Sequence, residues 1–257
     1  MQRARRLASV AVVATLTVSG LAACRAQPDV AVYFGDTSAI TVSEVQRIYN
    51  DVKSRLETAQ KLALQRQAEA GGAEPSAAPP VNVPVTGPQI VGALVTHDIV
   101  SRVAKARNVA VTGELPLAQA GQALGLPPDA EYLKVYVENR LLLNQLLSVT
   151  KPVQASDADV QHVYDVFKET GAMDPSLTFD MFKQQVNPQA LQTLGSAVAV
   201  RNDVQAQLDQ LNVKVNPRYE PAEIDVYSES GPDNQPLSLV SVPLADTDDA
   251  SPVTDAA

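Results

Sequence analysis

From Val45 to Leu211 the apolar residues recur at intervals of three and four, and each run stops where proline or glycine stands. That period lays one apolar stripe along a helix, so most of the chain can fold only as amphipathic helices packed on one another. The first run holds Val45, Ile48, Tyr49, Val52, Leu56, Ala59 and Leu62, behind Thr41-Val-Ser-Glu44, which has the form of a capping box. Thr86-Gly-Pro-Gln89 caps a second run through Ile90, Val91, Leu94, Val95, Ile99 and Val103. A short third helix is expected near Leu117 to Leu124, ended by Gly125. The fourth follows Pro127-Pro128, with Tyr132, Val135, Tyr136, Leu142, Leu143 and Leu146 on its stripe. Ser156-Asp-Ala-Asp159 caps a fifth, which carries Val160, Val163, Tyr164 and Phe167 as far as Gly171. A short sixth holds Phe179, Phe182 and Val186; Pro188 opens the seventh and longest, through Leu191, Leu194, Val198, Val204, Leu208 and Leu211.

The period changes to two at both ends of this helical stretch. Val30, Val32 and Phe34 alternate, Gly35-Asp36 can turn, and Ile40 and Val42 alternate again, which predicts a hairpin. Val213 and Val215 supply a third strand. The expected fold is mainly α, with a small β-sheet joining the N- and C-terminal ends of the domain.

What precedes Val30 reads as an address. Arg3, Arg5 and Arg6 lead into an apolar run from Leu7 to Val18, the charged and apolar regions of a signal peptide. About 17 residues separate Arg6 from Cys24, the lower bound for a membrane span, and serines and threonines interrupt them. Leu21-Ala-Ala-Cys24 then resembles a bacterial lipobox, and Cys24 is the single cysteine of the chain. The resemblance implies a signal peptide over residues 1–23, diacylglyceryl attachment at Cys24, and residence on the extracytoplasmic face of the cell membrane. Arg5-Arg6 suggests twin-arginine export, but Ala8 and Ser9 stand where that signal prefers apolar residues, so ordinary export is expected.

The chain carries 20 basic and 29 acidic residues, a net charge of −9. That balance argues against a nucleic-acid partner, which needs a basic stripe. One cysteine also excludes an internal disulfide or a cysteine-rich metal site. Residues 219–257 hold nine acidic side chains, no lysine or arginine, and prolines at 221, 232, 236, 243 and 252. Composition of that kind predicts a disordered acidic tail. Residues 69–88, with Gly71-Gly72 and five prolines, read as a flexible insertion. The folded domain is thereby expected over 24–218.

The segment from Val30 to Gln46, with its strand, Gly-Asp turn, second strand and Ile-Thr-Val-Ser-Glu-Val helix start, resembles the opening of SurA- and PrsA-type chaperones. The helix Val135 to Leu147, the helix entry Val153-Gln-Ala-Ser-Asp-Ala-Asp-Val and the closing Val213-Lys-Val-Asn-Pro-Arg-Tyr219 are similar to later elements of that family. In full-length relatives a parvulin prolyl isomerase domain of roughly 90 residues follows the fifth helix, more than the Gly171–Leu177 gap can hold. The resemblance therefore implies a SurA N-terminal-like helical domain without the isomerase. It implies a membrane-anchored, non-enzymatic holdase with no cofactor, binding unfolded or extended exported polypeptides in an apolar groove. Tyr132, Tyr136, Phe179 and Phe182 are the candidate peptide-binding residues, against the reading that all four are core. The alternative function is a cell-envelope structural or adaptor module that docks one folded partner. No motif bears on oligomeric state.

Catalytic motifs do not survive inspection. Ser148-Val-Thr-Lys151 matches Ser-x-x-Lys, but it closes a helix before Pro152, so one turn cannot present both groups. His97 and His162 have no second histidine one turn away and read as surface residues. Asp157 and Asp159 suit a helix N-terminus. Asp246-Thr-Asp-Asp249 lacks the glycine and distal glutamate of a calcium loop.

Overall fold

A computed structural model describes residues 29–35, 38–70, 79–220, 222–232 and 236–244. It is mainly helical, with two small antiparallel sheets. Strands β1 (Val30–Phe34) and β2 (Ser38–Thr41) form the expected hairpin. The helices follow: α1 (Val42–Glu69), α2 (Gly87–Ala106), α3 (Leu117–Leu124), α4 (Glu131–Val149), α5 (Asp157–Glu169), α6 (Phe179–Gln185) and α7 (Pro188–Leu211). Strand β3 (Val213–Val215) pairs with β1, Val32 opposite Val215, so both ends of the helical stretch meet in one sheet of order β2-β1-β3.

The caps formed locally. Thr86 and Gln89 make a complete capping box on α2, and Ser156 and Asp159 make one on α5. At α1 only half of the box forms: Thr41 accepts from the Glu44 amide at 3.1 Å, while its hydroxyl meets Ser43 at 2.9 Å. Asn212, at φ 45°, ends α7 in the left-handed region that asparagine tolerates. One core runs through the helices, with Ile48, Ile90, Ile99, Leu133, Leu143 and Leu146 fully buried.

Two expectations are corrected. The segment 219–257 is not a disordered tail throughout. Pro217–Tyr219 forms a 3-10 turn, and β4 (Glu223–Ser230) and β5 (Pro236–Pro243) form a second hairpin. Its inward side chains, including Ile224, Val226, Leu237, Leu239 and Val242, join the core. Irregular register on either side of Tyr227 lets both Leu239 and Val240 be buried. The prolines of β5 stand only at its ends, and the acidic residues face outward: Asp225 accepts from Arg140 at 3.2 Å and from Ser238 at 2.9 Å. Residues 245–257 lie outside the described residues. The 69–88 insertion is also narrower than expected: α1 runs through Glu69, and Val83 and Val85 pack on the core ahead of α2.

Asp159 ties α5 to α7. It accepts from the Ser156 amide and hydroxyl at 2.9 and 2.6 Å, and from Arg201 at 2.6 Å. Burial alone would raise its carboxyl; the Ser156 bonds and the Arg201 guanidinium outweigh burial and hold it below the ordinary aspartate range. A depressed carboxylate stabilises the fold above its unfolded pKa and loses that contribution as pH falls through its folded value. Asp159→Ala is expected to cost about 2 kcal/mol at neutral pH. In urea unfolding the gap to wild type should close as pH falls below about 4; a gap that persists in acid would show that the charge is not what matters.

Candidate functional site

Pro152 ends any continuation of α4, and the linker after it crosses the outside of α7. The Val153 amide donates to the Gly195 carbonyl at 3.3 Å, and the Ser196 hydroxyl to the Thr150 carbonyl at 3.2 Å. This crossing needs a glycine: a Cβ on residue 195 would lie 2.2 Å from the Val153 carbonyl oxygen. Arg107, at the end of α2, fixes the start of the linker by donating to the Thr150 hydroxyl at 2.9 Å, and pairs with Asp203 of α7.

The opposite wall is α6. This two-turn helix buries no side chain fully and is held by aromatic contacts to α5. Phe179 and Phe182 stand 5.7 and 5.6 Å from the Tyr164 ring, and Phe182 also meets Phe167 at 6.4 Å. The Tyr164 hydroxyl donates to the Leu177 carbonyl at 2.8 Å, fixing the loop that enters α6. Lys183 reaches Asp157 of α5 at 3.1 Å.

Between linker, α5, α6 and the start of α7 lies an open groove of about 450 Å³. Val153, Val160, Val186 and Leu191 supply its apolar lining, and Gln154, Asp157, Lys183 and Gln192 its polar lining. Five large apolar side chains are exposed among the described residues, and three of them belong to the elements that meet here. They are Val153 at 44% and Leu191 at 38%, which line the groove, and Met181 at 48% on α6; Val149 at 60% ends α4 ahead of the linker. Scattered exposed apolar residues need no explanation, but concentration at one end does.

The four candidate binding aromatics do not line this groove. Tyr132 is buried and stacks on the partly buried Tyr136 at 6.2 Å. Burial, with Tyr136 beside it, pushes the Tyr132 phenol up to about 12, so it stays neutral at any physiological pH. Phe179 and Phe182 pack against the core through α5, and they shape the groove by holding α6. Tyr132→Ala is expected to behave as a core deletion, costing about 4 kcal/mol in denaturant unfolding; a variant as stable as wild type would return Tyr132 to the surface. Cys24 lies outside the described residues.

His97 is not a free surface residue. Its Nδ1 sits 3.2 Å from the buried Asn139 side-chain oxygen, whose amide donates to the Ala93 carbonyl at 2.8 Å. His162 is exposed, as are Ser148 and Lys151. No three histidine, cysteine, aspartate or glutamate side chains are grouped to hold a metal ion among the described residues.

Val153, Val186 and Leu191 were missed because their groove is assembled from three segments distant in sequence. Two signals pointed to it. Val153 follows Pro152 outside any helical stripe, and Gly195 sits inside a helix, where glycine marks a close backbone approach. Comparison with protein-family models, with curated proteins and with solved structures gives no significant match.

Proposed function

We propose that the chain is an exported, lipid-anchored, non-enzymatic protein that binds unfolded or extended polypeptide, a SurA/PrsA-type holdase lacking the isomerase domain. The observation that carries this reading is the exposure of Val153 and Leu191 in the lining of an open groove, with Met181 exposed on its α6 wall. Its apolar lining with polar side chains beside it suits a short stretch of side chains from a client, without selecting a sequence. The N-terminal motif Leu21-Ala-Ala-Cys24 and the strand–turn–strand–helix opening support export, anchoring and the family.

The test is suppression of aggregation. The chain beginning at residue 25 is added to a chemically unfolded exported protein, and light scattering is followed against an inert protein of equal charge. Suppression at near-stoichiometric ratio is expected. Val153→Asp and Leu191→Asp should abolish it while leaving the unfolding midpoint within about 0.5 kcal/mol of wild type, because both side chains are already exposed. No suppression by the unmodified chain would sink the holdase reading. An adaptor docking one folded envelope protein through the same apolar end would then be the reading to pursue.

A further inference from the structure

The strands and the groove stand at opposite poles. At the strand pole, the Asn216 amide donates to the Ala31 carbonyl at 2.8 Å, and its side chain to the Val30 carbonyl at 3.1 Å. The 3-10 turn Pro217–Tyr219 then lays Tyr219 on the start of α2, where a Cβ on Gly87 would come within 3.2 Å of its ring. The far end of α2 belongs to the other pole, since Arg107 holds Thr150 at the head of the groove linker. The 20 residues of α2 separate the two ends by about 30 Å at about 1.5 Å per residue.

Helix α7 gives a second measure of the separation. Its Leu211 end returns to the strands, where a Cβ on Gly35 would lie 3.3 Å from the Leu211 carbonyl oxygen. Asp203 meets Arg107 at the far end of α2. Gly195 and Leu191 lie further along α7, about 24 and 30 Å from the Leu211 end at about 1.5 Å per residue, so the groove stands at the end of α7 away from the strands.

The chain enters this fold at the strand pole. Asp29 is bonded there through its carbonyl to the Val42 amide at 2.8 Å. Five residues of chain from Cys24 to Asp29 span at most about 18 Å, less than the length of α2. Lys214, Arg218 and Glu220 are exposed on this pole, and no described helix is long and apolar enough to cross a membrane.

We infer that the strand pole rests against the phospholipid headgroups, and that the groove opens at the far pole, beyond reach of the bilayer and toward polypeptide in solution. The inference rests on the proposed acylation of Cys24, and on nothing about what the groove binds. The partner of the strand pole is the headgroup surface itself, met by polar side chains and not by an inserted segment.

The test uses the full chain purified from bacterial membranes and reconstituted in vesicles of phosphatidylethanolamine and phosphatidylglycerol. Cys24 is the single natural cysteine, and acylation consumes its thiol, so Arg218→Cys and Leu191→Cys each add one labelling site. A fluorophore at position 218 should be quenched several-fold more strongly by headgroup spin-labelled lipid than one at position 191. Equal quenching, or stronger quenching at 191, with the chain still sedimenting with vesicles in a Cys24-dependent way, would overturn the orientation and leave the anchor standing. If Cys24→Ser sediments as the unmodified chain does, the anchor reading falls and the orientation falls with it.

Discussion

Replacing Gly195 by alanine is expected to destabilise the protein by about 3 kcal/mol, against the usual gain of about 1 kcal/mol for removing glycine from a helix interior. The added Cβ would sit 2.2 Å from the Val153 carbonyl oxygen and 3.2 Å from the Pro152 Cβ. Neither neighbour is the loose end of a side chain. Moving the linker outward breaks the 3.3 Å bond from Val153 to Gly195 and the 3.2 Å bond from Ser196 to Thr150. Moving α7 instead disturbs the buried Leu194, Ala197 and Val198 beside it. Gly92 provides the control, because a Cβ there meets only the Glu223 carbonyl oxygen, at 3.4 Å. Gly92→Ala should be neutral or stabilising. Urea midpoints that rank Gly195→Ala at or above Gly92→Ala would mean that the linker does not press on α7 as described. Because the linker is also a groove wall, Gly195→Ala should weaken aggregation suppression even where the protein remains folded.

The helices were legible because each boundary is a local event. Thr86 with Gln89, Ser156 with Asp159, and the Gly125 turn at φ 65° act within a few residues, and the apolar stripes between them need only one buried face. The joining sheet was legible for the same reason, since Val30, Val32 and Phe34 alternate as plainly as Val213 and Val215. The second hairpin was hidden by averaging. Taken as composition, 219–257 is acidic and proline-rich; taken by position, Ile224 and Val226 alternate with Asp225 and Tyr227, and the β5 prolines stand only at strand ends. The surroundings of the aromatic candidates were not legible for a different reason. Helical spacing places Tyr132 and Phe182 on faces of α4 and α6 but does not say what covers those faces. That depends on Tyr136, Tyr164 and Phe167 arriving from neighbouring turns and helices. The groove depends on how the Pro152 linker crosses α7, a tertiary fact with Gly195 as its one local trace.

The second large effect concerns the β4–β5 hairpin. Ile224 is fully buried, Val226 and Val242 are 1% exposed and Leu239 is 4% exposed. Ile224→Ala is therefore expected to cost about 3 kcal/mol, as an isoleucine deleted from a closed core. Ending the chain at Glu220 should cost more than any single substitution. It removes every buried side chain of the hairpin and leaves the helix faces beneath them wet. It also strands Arg140, which loses Asp225 at 3.2 Å. Charge cannot account for such a loss: Asp246→Asn with Asp248→Asn, outside the described residues, should shift the midpoint by no more than about 0.5 kcal/mol. A disordered tail predicts the opposite pattern, in which Ile224→Ala and the truncation both leave urea unfolding unchanged. The outcome also decides how the holdase test is built. A chain cut at 220 would bare apolar helix surface that the hairpin normally covers, and suppression by that chain would report the wound instead of the groove. The informative comparison is Leu191→Asp in the chain that keeps its hairpin, where loss of suppression at unchanged stability isolates the groove from the core.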